Sequence, residues 1–270
     1  MHIRLKYFYM WIYLLISTLA WGIAEIFYKK GNTENEKYSH LKTTIFVGFF
    51  MGIYSLVILF TQDIDLKSFP VNFIYYLPVA TCYILSMVLS YFGVKFIEES
   101  ISDPIENSSI AIVPILCAIF LKETFELPVV IGIVIVALGV IALSIFDKKG
   151  NTDRNNKYGK KLAIIAIIMP ICYMFLDSIG TFLDIFYTDS VDSTILINVN
   201  ENNLEHTANC AYELTFFLVA IALFIFLKIK GEKLFPSSGR EDVKWYKKIF
   251  NQKLKKKKKI IYKLIMYLGD

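Results

Sequence analysis

Only three histidines and four cysteines are spread through the 270 residues, and neither set has the spacing of a metal centre or a disulfide framework. His2, His40 and His206 stand in separate polar stretches, and Cys82, Cys117, Cys172 and Cys210 fall mostly inside apolar runs, where a lone buried thiol is ordinary. A G-x-x-x-x-G-K-[ST] phosphate loop is lacking, which argues against an energy-coupling ATPase, and so is the H-E-x-x-H pattern of a zincin-type protease. There is no repeated filter motif of the kind a channel carries. These absences point away from an enzyme and away from any metal or cofactor. Charge is sparse too. Asp, Glu, Lys and Arg make up 20% of the chain, below the roughly one quarter usual in soluble domains.

What is present is apolar. Hydrophobic residues make up 56% of the chain, aromatic residues 16%, and mean hydropathy is +0.51. Runs of about 18 or more apolar residues are long enough to cross a hydrocarbon layer, and they recur at Phe8 to Tyr28, Thr43 to Phe60, Phe73 to Val94, Ile105 to Leu121, Leu127 to Phe146, Leu162 to Leu183 and Ala211 to Leu227. The first run is too long for a signal peptide's apolar region and ends in Lys29 and Lys30 without a small-x-small cleavage pattern, so it reads as a retained span. In hydrocarbon every backbone N–H and C=O needs an internal partner, and runs of this length satisfy that only as helices. The fold class is therefore all-α, a polytopic transmembrane helix bundle of about seven spans, with Pro78, Pro114 and Pro170 as kinks, not ends.

Orientation follows from the basic residues of the connections. Those after spans one, three and five hold eleven Lys and Arg, and the opposite set holds four. Basic loops stay on the cytoplasmic side, so the N-terminus is expected outside. The connection from Asp184 to Cys210 has five acids and no basic residue, which suits an external, solvated loop. After Pro236-Ser237-Ser238-Gly239 the composition shifts to alternating basic and apolar residues. This tail is expected to lie on the inner membrane surface against anionic lipid, each lysine adding about 1 kcal/mol, and not to bind nucleic acid. The net charge of +5 thus reports topology and lipid contact, not the charge of a cargo.

The order of features from residue 10 to 147 resembles the EamA-type transporters of the drug/metabolite transporter superfamily. The residues that carry the resemblance are Ala20-Trp21-Gly22 in the first span, Tyr83-Ile84-Leu85-Ser86 in the third, Ile112-Val113-Pro114-Ile115-Leu116 leading to Phe120-Leu121-Lys122-Glu123 in the fourth, and Gly132 and Gly139 in the fifth. The resemblance implies two inverted five-helix halves. Residues 1–147 would be the first repeat, 148–161 a basic cytoplasmic connector, 162–230 the first two helices of the second repeat, and 231–270 a basic amphipathic tail. Three helices of the expected ten are then wanting. One reading takes the run Lys255 to Lys259 as an adenine tract at which the reading frame slipped; the other takes the chain as a naturally shorter protein.

Acids inside spans are the informative residues, since an ionised group at the centre of a bilayer helix costs about 2.5–3.5 kcal/mol on insertion scales. Asp177, Thr181 and Asp184 share one face of span six, where Gly180 admits a close neighbour; Asp177, without a basic residue nearby in sequence, is the leading candidate to bind a substrate or ion. Glu25 shares a face with Thr18, Trp21 and Tyr28, and either lines a path for a cation or amphipathic molecule or pairs with Lys29 four residues on. Glu106 and Asn107 follow Pro104 at the start of span four, as a polar pocket or a helix cap, with Asp103 as the ordinary N-cap. Glu213, two residues inside span seven, is expected to snorkel to the outer surface. If span six repeats span one inverted, Glu25 and Asp177 lie at opposite depths.

The function that results is secondary transport of a small metabolite or drug-like molecule across the plasma membrane, coupled to protons or sodium, with a homodimer allowed. The rival is a membrane-embedded binding or sensory protein that does not transport, or an inactive transporter remnant.

Overall fold

The structure is a computed structural model and describes residues 2–146 and 160–235. It is helical throughout its ordered elements: α1 His2–Gly31, α2 Ser39–Thr61, α3 Phe69–Gly93, α4 Glu99–Glu106, α5 Ser109–Leu116 continuing into a wide π turn at Cys117–Leu121, α6 Leu127–Phe146, α7 Lys160–Thr188 and α8 Leu204–Ile229. Six stretches are long and apolar enough to cross a membrane, at Met10–Gly31, Ser39–Thr61, Phe69–Gly93, Ile101–Leu121, Leu162–Thr188 and Leu204–Ile229. The chain is a multi-pass membrane protein. Helix α6 supplies the further apolar helix expected over the same residues. Most of the connector 148–161 and the tail from residue 236 lie outside the described residues.

Two of the expected spans have different beginnings. Span four starts at Glu99, six residues earlier than its apolar run, so Asp103 and Pro104 sit inside α4 and Asp103 is not the N-cap; Glu98 holds that position. Span seven starts at Leu204, seven residues before Ala211, because the Asn and His residues ahead of its apolar run are helical as well. Helices α3, α5 and α7 run on through Pro78, Pro114 and Pro170.

The seam between α3 and α7 organises the bundle. The two helices run antiparallel: Tyr76 meets Asp184, a Cβ added to Gly180 would lie 3.2 Å from Cys82 and Tyr83, and one added to Gly93 would lie 3.1 Å from Met169. Val79, Ala80, Ala163 and Ala166 are fully buried. Without water to drive association, close van der Waals packing of small residues holds such a seam. Helices α4 and α5 also pack on α7, and α6 packs on α5. The other close seam joins α2 to α8, where a Cβ at Gly48 would meet the Phe216 carbonyl oxygen at 2.7 Å and one at Gly52 the Phe217 ring at 2.4 Å. Much of α1 and α6 shows Leu, Ile and Trp outward, a surface suited to lipid.

Lysines close one end of the bundle. The Lys29 ammonium donates to the carbonyls of Val94 and Ile97 just beyond α3, and Lys95 donates to those of Glu36 (2.7 Å) and Lys37 (3.1 Å) between α1 and α2. Burial pushes the Lys95 pKa below its usual value, although Glu36 acts in the other direction. At the opposite end the 189–203 loop is docked, not freely solvated. The Asn72 carboxamide donates to the Ile197 carbonyl (2.9 Å) and accepts from the Ile197 N–H (2.8 Å), while Asn203 donates to the Asp63 carbonyl (2.7 Å) and Asn198 to the Asp65 carboxylate (3.1 Å). Leu196 is buried beneath it.

The chain from Phe224 onward is a second compact unit, described as far as Phe235. There α8 ends as the Gly231 N–H bonds the Lys228 carbonyl and the Glu232 N–H bonds that of Leu227, with Gly231 in the left-handed region at φ +72° that glycine adopts without strain.

Two predictions follow from this packing. Gly48→Ala forces α2 and α8 apart and should cost about 1–3 kcal/mol, read as a lower thermal midpoint in detergent than for Gly132→Ala, whose added Cβ meets nothing within 4 Å. The Ser68 hydroxyl, the Lys67 N–H and the Asn198 amide hold the Asp65 carboxyl below its ordinary value of 3.8. A depressed carboxyl contributes stability above its unfolded value and loses it as pH falls through the lowered folded value. Hydrogen exchange in the 189–203 loop should therefore be constant from neutral pH down to that region and quicken, relative to its intrinsic rate, only below it. Asp65→Asn should remove this dependence.

Candidate functional site

Residues 173, 177, 181 and 184 recur on one face of α7 at helical spacing, and α3 presents Tyr76, Tyr83 and Ser90 along its own length. Where the two faces meet, the Tyr76 hydroxyl donates to Asp184 Oδ1 at 2.5 Å and the Tyr83 hydroxyl to Thr181 Oγ1 at 3.2 Å, with Tyr83 also in hydrogen-bonding reach of Asp184. The Tyr83 ring packs against Tyr212 of α8 with centroids 5.5 Å apart, and the Tyr212 hydroxyl points to the Met87 sulfur at 3.5 Å. One turn before Thr181 on α7, Asp177 has the hydroxyls of Tyr173 and Ser109 in hydrogen-bonding reach.

Ser109 opens α5, and the break that precedes it is part of the site. Span four is interrupted at Asn107 and Ser108, immediately after Glu106. Glu106 is thus the last residue of α4, deep within the span, and not a cap at its start. Its carboxylate accepts from Ser90 Oγ and Ser102 Oγ, each at 2.7 Å, and the residue is 8% exposed. Asn107 is exposed and donates to the Asp103 carbonyl (2.9 Å), closing α4 instead of facing the site. Ser108 bonds the Ile105 carbonyl and the Met174 sulfur. Irregular backbone at this depth is tolerated where protein surrounds it or a cavity adjoins it.

Helix α1 contributes unevenly. Tyr28 packs on Tyr91 of α3 with ring centroids 4.8 Å apart, and Glu25 is half-buried a turn away. Trp21 is 55% exposed, and the Thr18 hydroxyl bonds the Leu14 carbonyl of its own helix (2.8 Å), so neither joins the polar residues at the α3/α7 seam. Tyr173 lies within electrostatic range of Asp177, Glu106 and Glu25 together. Acids singled out in three separate spans therefore act on one tyrosine through space.

The expectation that Glu213 snorkels is corrected. Because α8 begins at Leu204, Glu213 stands nine residues inside it and is 8% exposed. His40 also departs from a polar setting: its ring lies edge-on to Phe92 at 5.0 Å, and its Nδ1 is buried without a hydrogen-bond partner. Tyr76, Tyr83, Tyr173 and Tyr212 were not expected at the site. The signal available was the seven-residue spacing of Tyr76 and Tyr83, which puts both hydroxyls on one helix face. All four cysteines are free thiols, and among the described residues no three His, Cys, Asp or Glu side chains gather as metal ligands.

Carboxylates bonded by hydroxyls can exchange protons along the chain of contacts, and tyrosine faces accept cations or amphipathic molecules. At the broken helix, replacing Ser90 and Ser102 together by alanine removes two donors from the buried Glu106. The pair should cost about 1–3 kcal/mol, measured as a lower unfolding midpoint in detergent.

No curated protein and no solved structure matches the chain significantly. Residues 9–145, just over half the chain, match the EamA-like transporter family. They take in most of α1, all of α2 to α5 and nearly all of α6, including Glu25, the α3 tyrosines and the broken fourth span. A membrane bundle of this composition, with this stretch covering its first helices, belongs to the EamA-like transporter family and is a membrane transporter, not an enzyme.

Proposed function

We propose that the protein is an ion-coupled secondary transporter of a small organic molecule in the plasma membrane, with its N-terminus outside. The observation that carries the reading is that acids of three different spans, Glu25, Glu106 and Asp177, are buried or half-buried in the bundle within electrostatic range of Tyr173. Acids at such depth are costly unless they face protein or water, and hydroxyls meet two of these three. Asp177 and Thr181, with Tyr83 opposite, bind the substrate or ion midway along α7. Glu25 and Glu106 serve the end of the path nearer the lysine-closed turns, with Trp21 at its lipid-facing entrance and Asn107 holding the break open. Protons or sodium supply the driving force through these carboxylates.

In this scheme residues 1–147 form the first repeat and 162–230 begin an inverted second one, with Glu25 and Asp177 serving one alternating path. The tail 231–270 rests on anionic lipid at the inner face, and a homodimer pairs through lipid-facing helices such as α1 and α6.

The test is uptake into proteoliposomes under an imposed pH or sodium gradient, with ethidium as an aromatic cation and a panel of labelled amino acids as neutral alternatives. Asp177→Asn should slow gradient-driven uptake by roughly tenfold or more, a barrier increase of about 1.4 kcal/mol, with membrane insertion unchanged. Unaltered uptake by this variant removes Asp177 from the mechanism. Uptake of every probe no faster than in protein-free liposomes overturns transport in favour of a membrane-embedded binding protein.

A further inference from the structure

Three acids of α4 and α7 are met by hydroxyls: Glu106 by Ser90 and Ser102, Asp177 by Ser109 and Tyr173, Asp184 by Tyr76 and Tyr83. Glu213 differs. It is 8% exposed, and its Oε2 is buried with no hydrogen-bond partner among the described residues. An ionised carboxylate in that setting has one oxygen without water or donors, and the physical resolution in a low-dielectric interior is to keep a proton there.

The place of Glu213 in the fold says what would change that. Cys210, Glu213 and Phe217 follow one another at i, i+3 and i+7 on one face of α8. Cys210 Sγ points to the Ser55 carbonyl of α2 (3.5 Å), and Phe217 fills the space over Gly52. Glu213 lies between these contacts, in the seam that Gly48 and Gly52 make tight. From α2 the residues at the seam are Gly48, Gly52 and Ser55, which carry no titratable group. Around it on α8 are the Cys210 thiol and the Tyr212 phenol, and across from Tyr212 on α3 stands the Tyr83 phenol, with Asp177 in electrostatic range of Tyr212. No basic residue is among them. The seam has small residues and no ion pair to hold it, so its helices can part without breaking a charged contact.

We propose that Glu213 is a proton-binding site: it carries a proton while α8 is packed against α2 and gives it up when the seam opens to water. On opening, the carboxyl O–H bond breaks, the proton passes to water, and the carboxylate left behind is hydrated; on closing the reverse occurs. The assignment of this proton to coupled transport rests on the function proposed above, whereas the site itself does not.

The test uses the full chain reconstituted in lipid vesicles and infrared difference spectroscopy, with no substrate required. In neutral buffer the protein should show the carbonyl stretch of a protonated carboxylic acid, sensitive to deuterium exchange, and Glu213→Gln should lose one carboxyl equivalent of it. An unchanged band in that variant overturns the proposal. If the Gln variant does not fold, Glu213→Asp, which keeps an acid, should move the band, and an unmoved band has the same meaning. Gly52→Leu, which wedges the seam apart, should lose the same band with Glu213 still present; its persistence overturns the role of the seam. Absence of uptake with the band present refutes the transport reading alone, and uptake with the band absent refutes the proton site alone.

Discussion

A carboxyl group inside a bilayer helix must find donors within the protein or remain neutral, and this requirement governs how α3 and α7 meet. Their small residues allow close approach, but it is the pairing of tyrosine hydroxyls on α3 with Asp184 and Thr181 on α7 that selects one register over its neighbours. A shift of one residue along either helix would carry the hydroxyls off the acid-bearing face and leave the carboxylates without their donors. The helices that pack on this pair inherit its placement. The α4/α5 break brings Ser109 to Asp177, and Tyr212 of α8 lies against Tyr83.

The two seams of the bundle are built differently. Between α3 and α7, small residues and polar contacts act together, and sliding would break several hydrogen bonds at once. Between α2 and α8 the contact is glycine against phenylalanine, with the Cys210 thiol as the polar contact at one end. The first resembles a fixed joint. The second has the character of a surface along which helices separate, and Glu213, whose Oε2 is buried without a hydrogen-bond partner among the described residues, is found there.

Helix existence was legible in the sequence because apolar length is itself the physical requirement for crossing hydrocarbon; Leu127–Phe146 agrees residue for residue. Starts were less legible where polar residues continue the helix. Leu204 to Cys210 reads as loop by composition, yet Asn203 and Asn200 bond each other's backbone and side chain at its entry and turn the chain directly into α8. That misplacement is why Glu213 read as an interfacial residue. The interruption at Asn107 was hidden as well, since Pro104 and Pro114 mark kinks in either case and the break depends on Glu106 reaching Ser90 in another helix. Of the site, Asp177, Thr181 and Gly180 were visible from spacing within one helix. Their tyrosine partners are set by tertiary contact, which a single-helix pattern does not contain. Glu106 was visible as an acid in an apolar run, but Trp21 was drawn in by sharing a face with Glu25, and in the bundle that face is divided between Tyr91 and the lipid side.

The Asn72 carboxamide holds Ile197 by both its donor and its acceptor, as a neighbouring strand would. Asn72 and Tyr76 stand one turn apart on α3, and Tyr76 grips Asp184. One rigid helix therefore works like a camshaft, with its first lobe on the 189–203 loop and its second on the acid within the bundle. Rotating α3 enough to free the acid also withdraws the clasp on the loop, so the loop and the interior contact are timed by a single shaft.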